Sequence, residues 1–419
     1  MVAAFPTVKL ADCVDLLAGF AFKSQYFTNR PDDIPLVKGE NVSQGGILWE
    51  ISKRWSAADW SNLEKYQLRS GDVVVAMDRP WVPAGLKWAY IRSDDPKALL
   101  VQRCSRLRSN TPKLDQDFLR FVIGGPGFES YVMPITTGVN VPHISGSQIL
   151  DYEFALPPLP VQQRIAGILS AYDELIENSQ RRIKILETMA RALYREWFVH
   201  FRFPGHENVK FAATQFGRVP EDWVLPLIDH VDFKEGPGLR NWQYRKEGLP
   251  FLNIRTLVDN DIDLSKVQFL DPKEVKDKYQ HFLLREHDHV VSSSGTIGRI
   301  VTIRAEHLPL MLNTSIIRMR PQGARMGCWL LKHFLLSDYF QNQAMSFATG
   351  AAQANFGPIH LKQMKIIAPD EQTTAEYECI VVPMELAIMS LAQKIQNLRR
   401  TRDLLLPRLL SGQIEVAAT

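Results

Sequence analysis

Leu68-Arg69-Ser70-Gly71-Asp72-Val73-Val74-Val75 returns 216 residues later as Leu284-Arg285-Glu286-His287-Asp288-His289-Val290-Val291. This echo governs how the rest of the chain is read. Upstream, Ile34-Pro35-Leu36-Val37 matches Leu249-Pro250-Phe251-Leu252 at an offset of 215. Downstream, Thr137-Gly138 matches Thr349-Gly350, and Arg182-Ile183 with Leu186 matches Lys394-Ile395 with Leu398, both at 212. Each match alone is weak, but four in one order at a nearly constant offset are hard to reach by chance. The chain reads as two copies of one unit, each far longer than a solenoid repeat.

Within each copy the texture changes once. Short β-rich runs such as Gly71–Ala76 and Arg299–Ile303 alternate with turn punctuation at Gly45-Gly46, Gly124–Gly127 and Ser294-Gly295. After Leu156-Pro157-Pro158-Leu159-Pro160 the period switches to that of a helix. Ile165, Ile168, Tyr172, Leu175, Ser179, Ile183, Leu186, Ala190, Leu193 and Trp197 follow one another in steps of three and four. Copy two repeats the pattern at Ile380, Met384, Ile388, Leu391, Ile395, Leu398, Arg402, Leu405 and Leu409. These are coiled-coil seams on helices of roughly 35 residues. Pro383 is expected to kink or start the second helix, and Gly412 to stop it.

The expected fold is α+β. Two mixed α/β globules are separated by two long helices packed as an antiparallel coiled coil, with an internal two-fold repeat. The boundaries follow the changes of texture: a globule over 1–156, a long helix over 157–202, a linker over 203–222, a second globule over 223–369 and a second helix over 370–419. The copies diverge where Gly295-Thr296-Ile297-Gly298-Arg299 faces Arg79-Pro80-Trp81-Val82-Pro83-Ala84-Gly85. Different loops on a common scaffold make two different recognition surfaces. Two unlike heads at fixed separation suit a bipartite, asymmetric target.

The 419 residues agree with this count of domains. With 45% hydrophobic and 23% charged residues, the composition is that of a globular chain and excludes global disorder. No apolar run approaches the roughly 20 residues of a membrane span, and the N-terminus lacks a secretion signal, so a soluble, cytoplasmic chain is expected. Lys and Arg number 49 against 46 Asp and Glu, so overall charge neither announces nor excludes a nucleic-acid partner. Cys13, Cys104, Cys328 and Cys379 are too far apart to suggest a zinc knuckle or a disulfide framework.

Leu156-Pro157-Pro158-Leu159-Pro160-Val161-Gln162-Gln163-Arg164-Ile165-Ala166 and Leu404-Leu405-Leu406-Pro407-Arg408-Leu409-Leu410-Ser411-Gly412, set in this duplicated architecture, carry a resemblance. The chain resembles the specificity subunits of type I restriction–modification systems over essentially its whole length. The resemblance implies two target-recognition domains, each reading half of a split double-stranded DNA site. It implies helices that set the spacer and dock two modification (adenine-N6 methyltransferase) subunits, and an association with restriction (motor/endonuclease) subunits. It implies no catalysis by this chain; S-adenosylmethionine, ATP and Mg would sit on partner subunits. Copy two departs from the pattern, having Ala368-Pro369-Asp370-Glu371-Gln372 in place of the Pro-Leu-Pro start.

Base reading calls for Arg or Lys at guanine and Asn or Gln at adenine, while phosphate positioning calls for cations, hydroxyls and backbone N–H groups. In copy one the candidates for DNA contact are Lys23, Lys38, Asn41, Arg79, Trp81, Lys87, Thr137, Gly138 and Asn140. In copy two they are Arg240, Asn253, Arg255, Ser293, Ser294, Thr296, Arg299, Asn313, Thr349, Gly350, Gln353 and Asn355.

Other chemistries have less support. His281, His287 and His289 have the composition of a zinc site, but their copy-one counterparts are Lys65, Gly71 and Val73. Ser292-Ser293-Ser294-Gly295 lacks the leading Gly of a nucleophile elbow. Asp263 and Glu274-Val275-Lys276 resemble nuclease chemistry, yet Pro272-Lys273-Glu274 reads as a helix start. No phosphate-cradling glycine loop occurs. A coiled-coil scaffold whose heads bind proteins is the alternative to DNA recognition.

Overall fold

The computed structural model describes residues 5–135, 142–214, 216–258, 260–348 and 355–416. It divides into two units, Met1–Asn178 with Lys394–Thr419, and Ser179–Gln393.

The first unit is built on β1 (Val14–Ala18), β2 (Val73–Ala76), β3 (Trp88–Tyr90) and β4 (Cys104–Ser109). With Gln44–Gly45 these form a five-stranded sheet in the order β1-β4-β2-β3-(44–45). Val73, Val74, Val75 and Ala76 are wholly buried, as a β-branched central strand covered on both faces should be. Helix α1 (Gln116–Ile123) starts where Asp115 Oδ1 accepts from the Phe118 N–H at 2.9 Å, and it buries Phe118, Leu119, Val122 and Ile123. Ile165, Ala166 and Leu169 from the first half of α2 (Leu159–Phe198) join that core, and so does Leu409.

The second unit repeats the plan with β5 (Val231–Glu235), β6 (His289–Ser292), β7 (Ile300–Thr302) and β8 (Ile316–Pro321), in the order β5-β8-β6-β7. Helix α3 (Cys328–Leu336) takes the place of α1, and α4 (Glu371–Leu410) that of α2. Tyr377, fully buried, lies at the centre of an aromatic cluster, 4.9 Å from Phe198, 5.7 Å from Trp197 and 6.5 Å from Tyr194. Each unit contains one antiparallel helix pair. Asp173 meets Arg402 at 2.7 Å while Ile165 and Leu409 share a core in the first. In the second, Tyr194 and Phe198 pack on Tyr377.

Repeated ion pairs explain the echo that began the sequence reading. Arg108 Nη2 meets the buried Asp72 at 2.8 Å, and Arg320 Nη2 meets the buried Asp288 at 2.7 Å. The same carboxylates accept the Arg69 and Arg285 N–H groups, each at 2.8 Å. One strand over, Arg106 pairs with Asp15 and Arg318 with Asp232. The residue before each buried aspartate has positive φ: +92° at Gly71 and +66° at His287. The turn therefore demands the left-handed conformation in both copies, and copy two satisfies it without a glycine.

Three expectations need correction. Along α2, Leu175 is 46% exposed and Ile176 takes the inner position. Both are apolar and both fit a 3.5-residue average, so spacing does not choose between them. Ile165 and Trp197 are buried as expected, whereas Ile168, Tyr172, Ile183, Leu186 and Leu193 are half-buried, with Leu169 and Tyr194 deeper. Along α4, Ile380 is exposed and Met384 half-buried; Tyr377, Val381 and Glu385 hold the inner line there. Ile388, Leu391, Ile395 and Leu409 are buried, and Leu398 and Leu405 half-buried.

Pro383 does not start α4 but lies within it. The helix begins at Glu371, where Asp370 Oδ1 accepts from the Thr373 N–H at 2.8 Å and so does the work of the missing Pro-Leu-Pro. Finally, 203–222 carries the hairpin Phe211–Thr214/Gly217–Pro220, and Phe203 and Val219 are buried in the second core. Strands of four residues are too short for a period to show.

Candidate nucleic-acid interface

At one end of each sheet, two strands finish and two begin. In the first unit Ala76 pairs with Cys104 and Ala18 with Ser105; in the second Ser292 pairs with Ile316 and Glu235 with Ile317. Most of the candidate residues leave from this end. The loops there are packed by duplicated contacts. A Cβ on Gly19 would lie 2.2 Å from the Val101 carbonyl oxygen, and one on Gly236 2.5 Å from the Asn313 backbone, so glycine is required at both. The Ile144 N–H donates to Met77 O at 2.9 Å, and the Phe356 N–H to Ser293 O at 3.0 Å.

In the first unit these loops gather Lys38, Arg79 and Lys87. Lys87 Nζ donates to Gly39 O, and its N–H to Pro80 O at 2.6 Å. Arg79 is exposed at φ +44°, with its N–H on Pro142 O at 2.7 Å. Burial lowers the Lys87 pKa, and the nearby Arg79 charge acts in the same sense. Lys38 is paired with Glu40 at 3.0 Å and Asp78 also lies near Lys87, so Arg79 is the exposed cation of a mixed cluster. Sequence reasoning missed two members: Asp78 binds Arg103 at 2.7 Å and the His143 ring at 2.8 Å. Both are far from Arg79 in sequence, and only the strand pairing brings them together.

Two copy-one candidates are engaged elsewhere. Asn41 is fully buried: its Oδ1 accepts from the Lys38 N–H at 2.9 Å, and its Nδ2 donates to Leu36 O and Ser52 Oγ. An amide so engaged shapes its turn and leaves nothing for a base. Trp81, half-buried, sits on the hairpin Trp81–Val82/Gly85–Leu86 and donates from Nε1 to Glu129 at 2.8 Å. Lys23 is exposed beside the 3-10 turn Ser24–Tyr26.

In the second unit Gly295, at φ +65°, is built against Ile254, which brings the 293–299 loop beside Asn253 and Arg255. Ser294 bridges to the exposed Asn355. Arg240, Arg255, Thr296 and Arg299 are exposed; Arg299 Nη1 donates to Leu257 O at 2.9 Å. Asn253 Oδ1 accepts from the Arg255 N–H at 2.9 Å, and Asn313 Oδ1 from the Thr314 N–H at 2.7 Å; both side chains cap turns. Ser293 is fully buried, its backbone bonded to Ser315 and Phe356, so it is a hinge between loops and offers no surface hydroxyl. Thr137, Gly138, Asn140, Thr349, Gly350 and Gln353 lie outside the described residues. The residues that follow both gaps return to the same sheet end.

The three histidines part company. His289 is buried, its Nδ1 3.0 Å from Thr302 Oγ1 and its Nε2 2.8 Å from Cys328 O, and burial pulls its pKa down to about 4. His287 stands in the left-handed turn facing Trp329, and His281 packs on Phe282. Asp263 caps a turn and pairs with Lys266; Glu274 accepts from Gln243. Among the described residues no helix is long and apolar enough to cross a membrane.

Residues 4–188 match the family model described as the type I restriction modification DNA specificity domain. The chain is 23% identical over 371 residues to the type I restriction enzyme EcoBI specificity subunit of Escherichia coli, covering 85% of this chain and 74% of the relative. It is 26% identical over 294 residues to the MjaVIII specificity subunit of Methanocaldococcus jannaschii, covering 69% and 68%. Its fold is similar to the crystal structure of a type I restriction–modification S subunit from M. genitalium, with a TM-score of 0.63 at 15% identity over 99% of this chain and 97% of that one. Residues 4–188 thus match the specificity-domain model, the relatives' likeness runs on through the second copy, and the chain is similar over most of its length to type I restriction–modification specificity subunits.

Proposed function

We propose that this chain is the sequence-reading subunit of a type I restriction–modification complex. It recognises a bipartite, asymmetric double-stranded DNA site, one half with each sheet-end surface, and directs the methyltransferase and endonuclease subunits there. The observation that carries the reading is the pairing of a duplicated scaffold with divergent cationic and amide-bearing loops at the same end of each sheet. In this reading the two globules flank paired antiparallel helices that act as a spacer and dock two modification subunits. The chain performs no chemistry of its own. S-adenosylmethionine, ATP and Mg act on partner subunits, and the complex works in the cytoplasm.

A chain with 49 basic and 46 acidic residues grips phosphates weakly alone. The partners therefore supply part of the backbone contact, and the isolated chain should bind its site more weakly than the complex does. The direct test is to co-express the chain with a modification subunit and map N6-methyladenine across the genome. A two-part motif with an unspecified central gap is expected. Methylation without such a motif would contradict the reading.

A further inference from the structure

Trp242 is the most exposed large apolar side chain among the described residues, at 73%, and no ring lies against it there. An indole presents a large flat ring suited to stacking on a base or anchoring an interface. It is also rigidly mounted. It sits in the 3-10 turn Asn241–Gln243, and Gln243, 4% exposed, anchors that turn from beneath. Gln243 Oε1 accepts from the Arg240 N–H at 2.9 Å, while its Nε2 donates to Glu274 at 2.9 Å and to Tyr279 Oη at 3.2 Å. On the other side, Arg245 Nη1 donates to Trp242 O at 3.1 Å. The turn that carries the indole is thus held by a buried amide and a guanidinium.

The surroundings favour a polyanion. Leu239-Arg240-Asn241-Trp242-Gln243-Tyr244-Arg245-Lys246-Glu247 holds three exposed cations, Arg240, Arg245 and Lys246, against one exposed acid, Glu247. The segment departs from the candidate sheet end, where Gly236 is locked against Asn313 and Gly238 lies beside Thr314. The corresponding turn of the first unit, Ser24–Tyr26, has Gln25 in the place of Trp242, beside Tyr26, which is 57% exposed with its ring 6.2 Å from Trp55. Among the described residues, the tryptophans of the first unit are all half-buried. Aromatic and apolar side chains flanked by cations insert between base steps or stack on bases, and the backbone contacts hold them there.

We propose that Trp242 is a wedge that inserts between stacked base pairs of the DNA half-site read by the second unit. This rests on the functional reading above and adds an unstacked step to it. The test uses the full chain assembled with its methyltransferase subunits and a duplex carrying the methylated motif, with 2-aminopurine placed at successive positions of the second half-site. The intact complex should change 2-aminopurine fluorescence at one step. Trp242→Ala should abolish that change and weaken binding at least about tenfold. Trp242→Phe should keep most of both, and all three chains should melt alike.

Equal affinity and an unchanged fluorescence profile in Trp242→Ala would overturn the wedge. So would loss of methyltransferase subunits from that variant, since it would make the indole a protein contact. If the intact complex does not prefer its motif over a scrambled duplex, the functional reading itself falls and takes the wedge with it.

Discussion

The two units are nearly the same molecule inside and different molecules at one end. Arg108–Asp72 and Arg320–Asp288 tie together corresponding strands with corresponding atoms, down to the backbone N–H that completes each carboxylate's shell. At the ends of those strands the loops carry Arg79, Lys87, Arg103 and His143 in one unit, and Thr296, Arg299, Arg255 and Asn355 in the other. What differs is what a ligand meets. What is shared is what a loop needs in order to be held.

The helix junctions show the same division. Arg120 meets Asp173 at 3.2 Å in the first unit, and Lys332 meets Glu385 in the same place in the second. The second junction is deeper. Glu385 is 1% exposed and accepts from His333 Nε2 at 3.0 Å, while Tyr377 Oη lies 2.9 Å from His333 Nδ1. Burial pushes the Glu385 carboxyl up, but the His333 hydrogen bond and the Lys332 charge outweigh it and hold the pKa at about 2. Burial lowers the His333 pKa, while the ring spans the Glu385 carboxylate at Nε2 and the Tyr377 hydroxyl at Nδ1.

The strongest challenge to the equivalence is to strip the two buried aspartates of their partners. Arg108→Ala and Arg320→Ala should each destabilise their own unit by about 3–5 kcal/mol, because each leaves a buried, uncompensated charge. Hydrogen exchange resolved by unit would check this. A neutral result in one unit alone would break the comparison.

The corrected helix phase comes next. Ile176→Ala should cost about 2–4 kcal/mol, and Leu175→Ala no more than about 0.5 kcal/mol, by denaturant unfolding. The reverse order would restore the phase expected from spacing.

The pH response sharpens the junctions. Glu385 has a depressed pKa in the folded state, so its contribution is fully present above the ordinary carboxylate value near 4.5 and is lost as pH falls toward about 2. The melting temperature of the second unit should fall through that window, and Glu385→Gln should flatten the dependence. A wild-type slope persisting in Glu385→Gln would remove Glu385 as its source.

The smallest effects are expected at single candidate phosphate contacts. Arg79→Ala or Lys87→Ala in the assembled complex should weaken DNA binding across sequences and lower the salt slope by about 1. A change confined to one base pair would move that residue to direct readout.

The repeat was legible because buried ion pairs and tight turns permit few substitutions: the Asp72 and Asp288 turns are visible as strings of letters. The helices were legible as a period, but their rotation was not, since Leu175 and Ile176 are both apolar and only packing separates them. The interface was legible by residue type and not by address. Asn41 looked like a base reader and is a buried turn-former, while Arg103 and His143 come to the site through a strand register that no local pattern encodes. Trp242 is flanked in sequence by Arg240, Arg245 and Lys246, but its exposure is set by the fold and not by the letters.

The central claim is that each unit reads its own half-site with loops carried on an interchangeable scaffold. The most direct test is a chain in which the second globule, residues 223–369, is replaced by a second copy of the first, residues 6–156, co-expressed with the modification subunit. The N6-methyladenine map should then show the first half-site sequence at both ends of the motif. A map in which the original second half-site persists would contradict the account.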